Sequence, residues 1–262
     1  MATGTAICSC AAGGSHRGHA ARLAGLRTDP GAGRMSHHRG PSSFDRQRAR
    51  RAWDRAARAY DPTILLLERA LLGDGRGWLG GRATGDVLEV AIGTGRNARH
   101  FAPAVRLAGV DISPRMLARA RRRALALGRK ADLHIGDAEA LEFADASFDT
   151  VVFSLALCSI RDDRAAVHEA MRVLRPGGRL LLLEHVRSPH RLVRVLQAGL
   201  ESLTVRSLGD HQLRDPLAHV LDAGFELVAA ERSRLGIVER VEARKPVPSR
   251  VGPEDAEGGF EG

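Results

Sequence analysis

One stretch decides the fold of this 262-residue chain: Val87-Leu88-Glu89-Val90-Ala91-Ile92-Gly93-Thr94-Gly95-Arg96-Asn97. Its apolar beginning predicts a buried strand, and the Gly-x-Gly turn that follows predicts backbone N–H groups close to a ligand at the start of a helix. About twenty residues later, Gly109-Val110-Asp111-Ile112-Ser113 predicts a second strand that ends in an acid able to bind a ribose. Together the two strands indicate a site for a nucleoside cofactor.

From Asp86 onward, short apolar runs alternate with helical patterns, which is typical of βαβ units and a parallel sheet. We predict a Rossmann-like, doubly wound α/β fold of seven mostly parallel strands, with helices on both faces and the last strand antiparallel. The predicted strands are 86–91, 106–111, 132–135, 148–156, 179–186, 226–231 and 236–243. The predicted helices between them are 96–102, 114–127, 162–174 and 216–223, with Ser113 and Asp215 as candidate caps.

Two further helices are predicted before the sheet, over residues 44–59 and 63–72. Asp61-Pro62 is expected to separate them, because a residue before proline resists the helical conformation. A loop rich in glycine, over residues 73–85, then leads to the first strand.

The chain is expected to form one domain, residues 44–246, with its N-terminal helices at 44–72 and a substrate lid at 187–215. The lid is inferred because about thirty residues with helical apolar spacing follow the fifth strand, and such insertions lie over the ligand crevice. Residues 1–43 are expected to be a disordered basic arm or a mis-assigned start, and residues 247–262 a flexible tail.

The positive charge of the chain is concentrated at its N-terminus. The formal net charge is +9, but residues 1–60 hold 11 Arg and 3 Asp, which leaves 29 basic and 28 acidic residues in the rest. The domain itself is therefore nearly neutral, and ten aromatic residues are few for stacking on bases, so we expect no specific nucleic-acid partner. The arginines of the arm could give a weak association with a membrane surface.

Cysteine usage and hydropathy indicate the compartment. Cys8, Cys10 and Cys158 form no even, spaced disulfide framework. No run approaches the roughly 18 apolar residues that span a bilayer, and the start lacks the apolar segment of a signal peptide. We therefore expect a cytoplasmic protein.

The turn after the first strand is compatible with more than one class of protein. Gly93-Thr94-Gly95-Arg96-Asn97-Ala98 fits the G-x-G-x-x-G/A pattern of dinucleotide-binding folds, so a nicotinamide-dependent reductase is one interpretation. A short-chain dehydrogenase would need a Tyr-x-x-x-Lys pair, however, and the single tyrosine, Tyr60, lies upstream of the sheet. A noncatalytic cofactor-binding protein is a further interpretation.

Five ordered blocks of the sequence, at 88–95, 109–117, 136–141, 147–152 and 172–180, carry a family resemblance. They include Gly136-Asp137-Ala138-Glu139-Ala140-Leu141 and Arg175-Pro176-Gly177-Gly178. With these blocks the chain resembles the class I S-adenosylmethionine-dependent methyltransferases, in particular the small-molecule branch related to quinone-biosynthesis C-methyltransferases. The resemblance implies S-adenosyl-L-methionine as the cofactor. Methyl transfer from this cofactor requires no metal.

The resemblance also implies roles for individual residues. Asp111 would accept hydrogen bonds from both ribose hydroxyls. Hydrogen bonds to an ionised carboxylate are stronger than those between neutral groups. Asp137 and the N–H of Ala138 would bind the adenine edge, and Ile112 and Met116 would enclose the ring.

At the other end of the cofactor, Glu89 would face the methionine group. The carboxylate of the cofactor would be bound by free N–H groups and by the dipole of the helix that starts near Gly95. Ala91 stands where the family usually has a glycine. The remaining candidate cofactor-binding residues are Gly93, Thr94, Asn97, Ser154 and Tyr60.

Methyl transfer from a sulfonium is an in-line displacement, in which alignment and exclusion of water supply most of the rate. A general base matters only if the acceptor arrives protonated. His211 in the lid and His185 at the fifth strand are the candidates, because imidazole titrates near neutral pH. For each, a structural hydrogen bond is the alternative role.

Three short segments bear on the acceptor. Leu157-Cys158-Ser159-Ile160 and Glu184-His185-Val186 resemble thiol- and lipid-directed methyltransferases, whereas Gly236-Ile237-Val238 resembles the quinone enzymes. We therefore expect methyl transfer to a small hydrophobic acceptor that is quinone-, lipid- or thiol-like. Whether carbon, nitrogen, oxygen or sulfur is methylated stays open at this point.

Overall fold

The computed structural model describes residues 43–208, 214–233 and 235–248. These residues contain seven strands: β1 Asp86–Val90, β2 Arg106–Asp111, β3 Ala131–Ile135, β4 Phe148–Ser154, β5 Leu174–His185, β6 Glu226–Arg232 and β7 Val238–Arg244. They form one sheet in the order β3-β2-β1-β4-β5-β7-β6. All neighbours are parallel except β7, which is antiparallel to both β5 and β6. The predicted Rossmann-like fold with an antiparallel last strand is confirmed.

Helices accompany the sheet throughout the described ranges. They are α1 Ser43–Ala56, α2 Tyr60–Leu71, α3 Gly75–Gly80, α4 Pro114–Ala126, α5 Asp163–Val173, α6 Arg191–Leu208 and α7 Pro216–Asp222. The hydroxyl of Ser113 accepts the N–H of Met116 at 3.1 Å and so caps α4 as predicted. Asp215 precedes α7 but makes no capping hydrogen bond, so the second predicted cap is wrong.

Strand β1 lies at the buried centre of the sheet, between β2 and β4. Val87, Leu88 and Val90 are fully buried and Glu89 between them is 3% exposed, as expected for a strand covered on both faces. Because β1, β2 and β4 are parallel, the loops that follow them meet at one edge of the sheet. That edge carries the candidate site.

The helix predicted over 96–102 is wrong in length and type. Only Arg96–Arg99 is helical, as a 3-10 turn, and Gly95 before it has a left-handed φ of 75°. Pro103 disfavours the helical conformation of the residue before it, so the turn does not extend toward β2. Four residues provide little aligned peptide dipole, and the expected anion site at this helix start therefore loses its physical basis.

The boundaries of the N-terminal helices also differ from the prediction. Helix α1 ends at Ala56, and Asp61-Pro62 lies in the first turn of α2 instead of separating two helices. Proline is tolerated there because N–H groups of the first turn have no partner within the helix. The glycine-rich loop contains a helix of its own, α3, in which burial of Leu79 offsets the low helix propensity of glycine.

Two more differences concern the second half of the chain. Strand β5 begins at Leu174 instead of the predicted residue 179, so it includes the segment Arg175-Pro176-Gly177-Gly178. Within the predicted lid, the helix α6 is 18 residues long. The basic arm up to residue 42 and lid residues 209–213 lie outside the described residues. None of the described helices combines the length and apolar character needed to cross a bilayer.

Candidate functional site

A cavity lies at the edge of the sheet where β1 to β4 end, and helices α1 and α2 close it from the other side. Its empty volume, which includes space open to solvent, is about 880 Å³. Eight of the thirteen predicted cofactor-binding residues line it: Tyr60, Ala91, Gly93, Asp111, Ile112, Met116, Asp137 and Ala138.

Asp111 ends β2 and is the buried acid of the cavity. One carboxylate oxygen accepts the N–H of Gly93 at 2.8 Å, and the other accepts the N–H of Ser113 at 2.8 Å. Burial raises the pKa of Asp111 to about 6, although these two hydrogen bonds favour the ionised form. Each oxygen keeps a second lone pair, so the carboxylate can accept further hydrogen bonds from two ligand hydroxyls.

Asp137 follows β3 and shapes the next part of the wall. One carboxylate oxygen accepts the N–H of Glu139 at 3.0 Å, which is an Asx turn, and Arg46 of α1 donates to the other oxygen at 3.4 Å. The turn holds Asp137 and Ala138 at the cavity. The pair with Arg46 connects α1 to the loop after β3 and is exposed enough to contribute little stability.

Two residues of the wall have a backbone conformation that is strained for a side chain with a Cβ atom. Ala91 after β1 has a φ of 52°, and Leu155 after β4 has a φ of 54°. Such conformations cost about 1–3 kcal/mol each and persist only where surrounding contacts impose them, often at functional sites. Ala91 therefore adopts, with strain, the turn that a glycine would adopt freely.

A buried carboxylate holds the strained loop after β4. Glu184 of β5 is 1% exposed, and its carboxylate accepts the N–H of Ala156 at 2.9 Å and the N–H of Leu157 at 3.2 Å. The N–H of Leu155 donates to the carbonyl oxygen of Leu183 at 2.8 Å. Strand β5 thus fixes a wall of the cavity to which it contributes no side chain.

The same loop is held from the lid side by one arginine. The guanidinium of Arg214 donates to the carbonyl oxygens of Leu157, Ile160 and Arg161, and it lies 3.3 Å from the carboxylate of Asp163. Arg214 directly follows residues 209–213 of the predicted lid, and its hydrogen bonds connect this part of the chain to the cavity wall at Ile160 and Arg161.

Replacing Glu184 by glutamine is expected to lower the free energy of unfolding by about 1 kcal/mol, since the amide keeps one acceptor oxygen but loses the charge that strengthens these hydrogen bonds. Urea denaturation measures the change. Glu231→Gln, on an exposed position of β6, is the matched control and should leave stability unchanged. An equal effect of the two substitutions would argue against the role given to Glu184.

Glu89 lies on β1 behind the cavity and is 3% exposed. Its Oε1 accepts from Asn97 at 2.8 Å, whereas its Oε2 is buried without a hydrogen-bond partner among the described residues. Burial raises the pKa of the Glu89 carboxyl to about 7. A buried acid with an unused oxygen near the cavity fits a cationic group of a ligand better than a purely structural role.

Next to Glu89 lies a group that we name the arginine cluster: Arg76, Arg96 and Arg123 with Asp61 and Glu68. Glu68 accepts from Arg76 and from Arg96 at 2.5 Å each, and Asp61 accepts from Arg123 at 2.8 Å. Burial opposes ionisation of Glu68, but the arginine hydrogen bonds still hold its pKa below the ordinary value. Three cations face two acids, so the arginine cluster carries a surplus positive charge.

Arg76 directs this surplus toward the site. Its Nη1 donates to the side-chain oxygen of Asn97 at 2.6 Å and to the hydroxyl of Ser154 at 3.2 Å. Asn97 and Ser154, like Glu89, Thr94 and Gly95, were expected to bind the cofactor but do not line the cavity. Their partner Arg76 is the cation that sequence reasoning missed, since nothing distinguishes it within a glycine-rich segment.

Gly95 and Thr94 have structural roles in the loop after β1. A Cβ atom at Gly95 would lie 3.1 Å from the Cα of Ala120, so only glycine lets the loop pack this closely on α4. The hydroxyl of Thr94 donates to Asp61 of the arginine cluster at 2.6 Å.

The two histidines proposed as general base have different outcomes. His185 is half-buried at the end of β5, opposite Val238 of β7, and does not line the cavity. His211 lies outside the described residues. Neither is brought to the cavity wall by the described part of the structure.

Helix α1 contributes wall residues that the sequence analysis did not assign to the site. Ala49 and Trp53 line the cavity, and the Trp53 ring stands edge-on to the Tyr60 ring at 6.2 Å between centroids. Trp53 of α1 and Tyr60 of α2 are far from the sheet in sequence, so their position at the cavity could not be predicted from a local pattern. Burial raises the pKa of the Tyr60 phenol, which therefore stays protonated.

Comparisons with known proteins agree with this geometry. The family model described as "Methyltransferase domain" matches residues 87–178. Demethylmenaquinone methyltransferase of Deinococcus radiodurans is 37% identical over 161 residues, which cover 57% of this chain and 67% of that protein. The ubiquinone/menaquinone biosynthesis C-methyltransferase UbiE of Dinoroseobacter shibae is 42% identical over 118 residues, which cover 43% of this chain and 47% of that protein.

A solved S-adenosylmethionine-dependent methyltransferase from Thermotoga maritima has the same fold, with a TM-score of 0.60 at 22% identity. The match covers 75% of this chain and 99% of that one. Fold and site define an α/β protein for a nucleoside cofactor. The chain belongs to the class I S-adenosylmethionine-dependent methyltransferases, whose cofactor is S-adenosyl-L-methionine. This membership favours the methyltransferase over the nicotinamide-dependent reductase. The chain spans about half the length of the first curated relatives it matches.

Proposed function

We propose that this protein transfers a methyl group from S-adenosyl-L-methionine to a small hydrophobic acceptor, with a quinone-like ring as the leading candidate. The observation that carries the proposal is the cavity, in which a buried acid at the end of β2 and an apolar wall from α1 and α2 face each other. The names of the curated relatives, which are quinone-biosynthesis methyltransferases, support a quinone-like acceptor. Lipid- and thiol-like acceptors are the alternatives.

The cavity residues suit the nucleoside half of the cofactor. Asp111 has lone pairs for two ribose hydroxyls, and Ile112 and Met116 offer apolar contacts to an adenine ring. Asp137 and the N–H of Ala138 can bind the adenine edge. These four side chains and one backbone group come from the end of β2, from the loop and helix α4 that follow it, and from the loop after β3, so the region at two adjacent strand ends would bind one half of the ligand.

The methionine half meets charges of both signs. Glu89 in its ionised form would balance the ammonium group, and the surplus charge of the arginine cluster at Arg76 would attract the carboxylate. Arg76 thus takes over the role first assigned to a helix N-terminus. When bound, the cofactor supplies an electrophilic methyl group on a sulfonium, and the protein has to align the acceptor and exclude water.

Arg76→Gln is expected to weaken the affinity for S-adenosylhomocysteine about tenfold, because a charge-assisted contact to the carboxylate is lost. Isothermal titration calorimetry measures the dissociation constant. Arg82→Gln is the matched control, because Arg82 stacks on the Trp78 ring, pairs with Glu242 and is 41% exposed. If Arg76→Gln bound as tightly as the control, the methionine carboxylate would have to lie elsewhere.

The acceptor side of the cavity is mainly apolar. Trp53, Tyr60, Leu155 and Ile160 offer a flat, hydrophobic enclosure suited to a ring with an apolar substituent. The phenol of Tyr60 stays protonated and can donate a hydrogen bond to an acceptor oxygen. His185 and His211 remain proposed as the general base for an acceptor that arrives protonated.

A labelled-methyl assay tests the proposed function. The purified protein is incubated with methyl-labelled S-adenosylmethionine and a panel of acceptors, consisting of a demethylated quinone, an aminophospholipid and an alkyl thiol. Label on the quinone is the expected result, with Asp111→Ala as the inactive control. Label on the lipid or thiol alone would change the acceptor class, and cofactor binding without any transfer to the panel or to a cell extract would indicate a noncatalytic protein.

A further inference from the structure

Helix α6 presents apolar side chains to solvent. Leu192, Val195 and Leu196 are 82%, 69% and 75% exposed. Their spacing of three and four residues puts them on one side of the helix, and we name them the outer row. Single exposed apolar residues are common on protein surfaces, but three adjacent ones on one helix form a patch that calls for a partner.

A polar residue of α6, Gln197, faces the domain. The side-chain amide of Gln197 donates to the carbonyl oxygen of Val186 at 2.9 Å and accepts the N–H of Ser188 at 2.9 Å. A helix of a soluble domain ordinarily buries its apolar side and exposes its polar side. Here the anchored residue is polar and the exposed ones are apolar, so the outer row is held outward by the hydrogen bonds of Gln197.

The charge around the outer row has one sign. Arg191 directly precedes Leu192, and Arg194 directly precedes Val195. No acidic residue occurs between Glu184 and Glu201. An apolar row flanked by arginines is the pattern of helices that lie in the interface of an anionic membrane.

The neighbouring helix adds positive charge and connects the surface to the site. Helix α6 contacts α1, whose Ala49 and Trp53 line the cavity. Helix α1 also exposes a set of arginines to solvent: Arg48, Arg50, Arg51 and Arg55. A surface that attaches to a membrane through α6 would therefore bring the cavity close to the lipid.

We propose that the outer row of α6, with Arg191 and the exposed arginines of α1, docks on an anionic lipid bilayer. A second copy of the chain is a poorer partner, because pairing two outer rows would bring like-charged arginines together. The proposal of docking depends only on the exposed residues of α6 and α1. Its consequence, that a lipid-soluble acceptor enters the cavity from the membrane, rests on the proposed function.

Co-sedimentation of the full chain with vesicles tests the docking. The wild-type protein should bind vesicles of phosphatidylglycerol and phosphatidylcholine, and bind those of phosphatidylcholine alone far less. Leu192→Ser combined with Leu196→Ser should weaken binding about 100-fold, and Arg191→Glu about tenfold. Leu125→Ser and Arg122→Glu are the matched controls, because they change exposed residues near the end of α4 farthest from the cavity.

Three results would overturn the docking. The first is a wild-type protein that stays free of anionic vesicles at low salt. The second is an outer-row variant that binds as tightly as the wild type, and the third is a dimer that the same variant converts into a monomer on gel filtration. The second result would assign lipid contact to another part of the chain, and the third would make the outer row an interface between copies. Affinity for S-adenosylhomocysteine, measured in parallel, should not change in any variant, which separates a failure of docking from a failure of the proposed function.

Discussion

Asp111→Ala is expected to weaken the binding of S-adenosylhomocysteine roughly 10- to 100-fold. The substitution removes the only carboxylate at the end of β2 and with it two charge-assisted hydrogen bonds to the ribose. It also removes the acceptor of the N–H groups of Gly93 and Ser113, which are hydrogen-bonded to Asp111. Isothermal titration calorimetry gives the dissociation constant directly.

Asp132→Ala is the matched control for this prediction. Asp132 lies on the adjacent strand β3, is exposed, and pairs on the surface with His134 at 2.9 Å. Its removal should leave the dissociation constant unchanged. Equal dissociation constants for the Asp111→Ala and Asp132→Ala variants would show that Asp111 does not bind the ligand. A Met116→Ala variant would test the adenine contact separately, through its own dissociation constant.

The affinity for S-adenosylhomocysteine is expected to fall about 20-fold between pH 8 and pH 6. Burial raises the pKa of Glu89 to about 7 and that of Asp111 to about 6, and the ligand's ammonium and ribose groups favour both carboxylates in the ionised form. Protonation of Glu89 alone reduces binding about tenfold over this range, and Asp111 adds about a factor of two. Calorimetry across the pH range measures the slope.

Glu89→Gln should bind the ligand more weakly at pH 8 and lose most of the pH dependence. Its effect on stability has the opposite sign. A carboxyl whose pKa is raised on folding stabilises the protein at low pH, and this contribution is lost as the pH rises through the folded-state pKa. The ligand-free variant should therefore be more stable than the wild type at pH 8, by at most roughly 3 kcal/mol, with the difference vanishing near pH 4.

Two observations would count against this account of Glu89. One is a dissociation constant that stays flat from pH 8 to pH 6 in the wild type. The other is a Glu89→Gln variant that is less stable than the wild type at pH 8 in urea denaturation, since that would give Glu89 a structural role as an ionised group. Asp132→Ala again serves as the control, because its exposed carboxyl should alter neither the slope nor the stability difference.

The sheet could be predicted closely from the sequence because its central strands are mainly apolar and are bounded by polar turns. Strand β2 has the predicted bounds, and β1, β3 and β6 differ by one residue at one end. Helix propensity and capping were decisive for α4, where Ser113 and Pro114 agree on the start. The prediction failed where tertiary packing overrides local preference, as in α3, whose glycines would not form a helix alone.

The cavity residues that follow the strands could also be predicted, because the ends of parallel strands converge at one edge. The arginine cluster could not. Arg76 contacts Asn97 and Ser154 across 21 and 78 residues of sequence, and no local pattern reports such a contact. The hydrogen bonds from the loop after β4 to Glu184 likewise depend on the register between β4 and β5, which only the folded chain shows.

The outer row illustrates the same limit for surfaces. The helical spacing of Leu192, Val195 and Leu196 was visible in the sequence, and such spacing ordinarily predicts an apolar side that faces the core. The folded chain shows the reverse, because the side chain of Gln197 fixes the helix to the backbone of Val186 and Ser188, which follow β5. Whether the apolar side of an amphipathic helix is buried or exposed thus also depends on which residues of its opposite side bind the domain.

A crystal structure of the full chain with S-adenosylhomocysteine tests the central claim most directly. The account predicts the ribose hydroxyls within hydrogen-bond distance of Asp111, the adenine ring between Ile112 and Met116, and the methionine group between Glu89 and Arg76. A ligand bound at another edge of the sheet, or one in this cavity whose ribose makes no contact with Asp111, would contradict it.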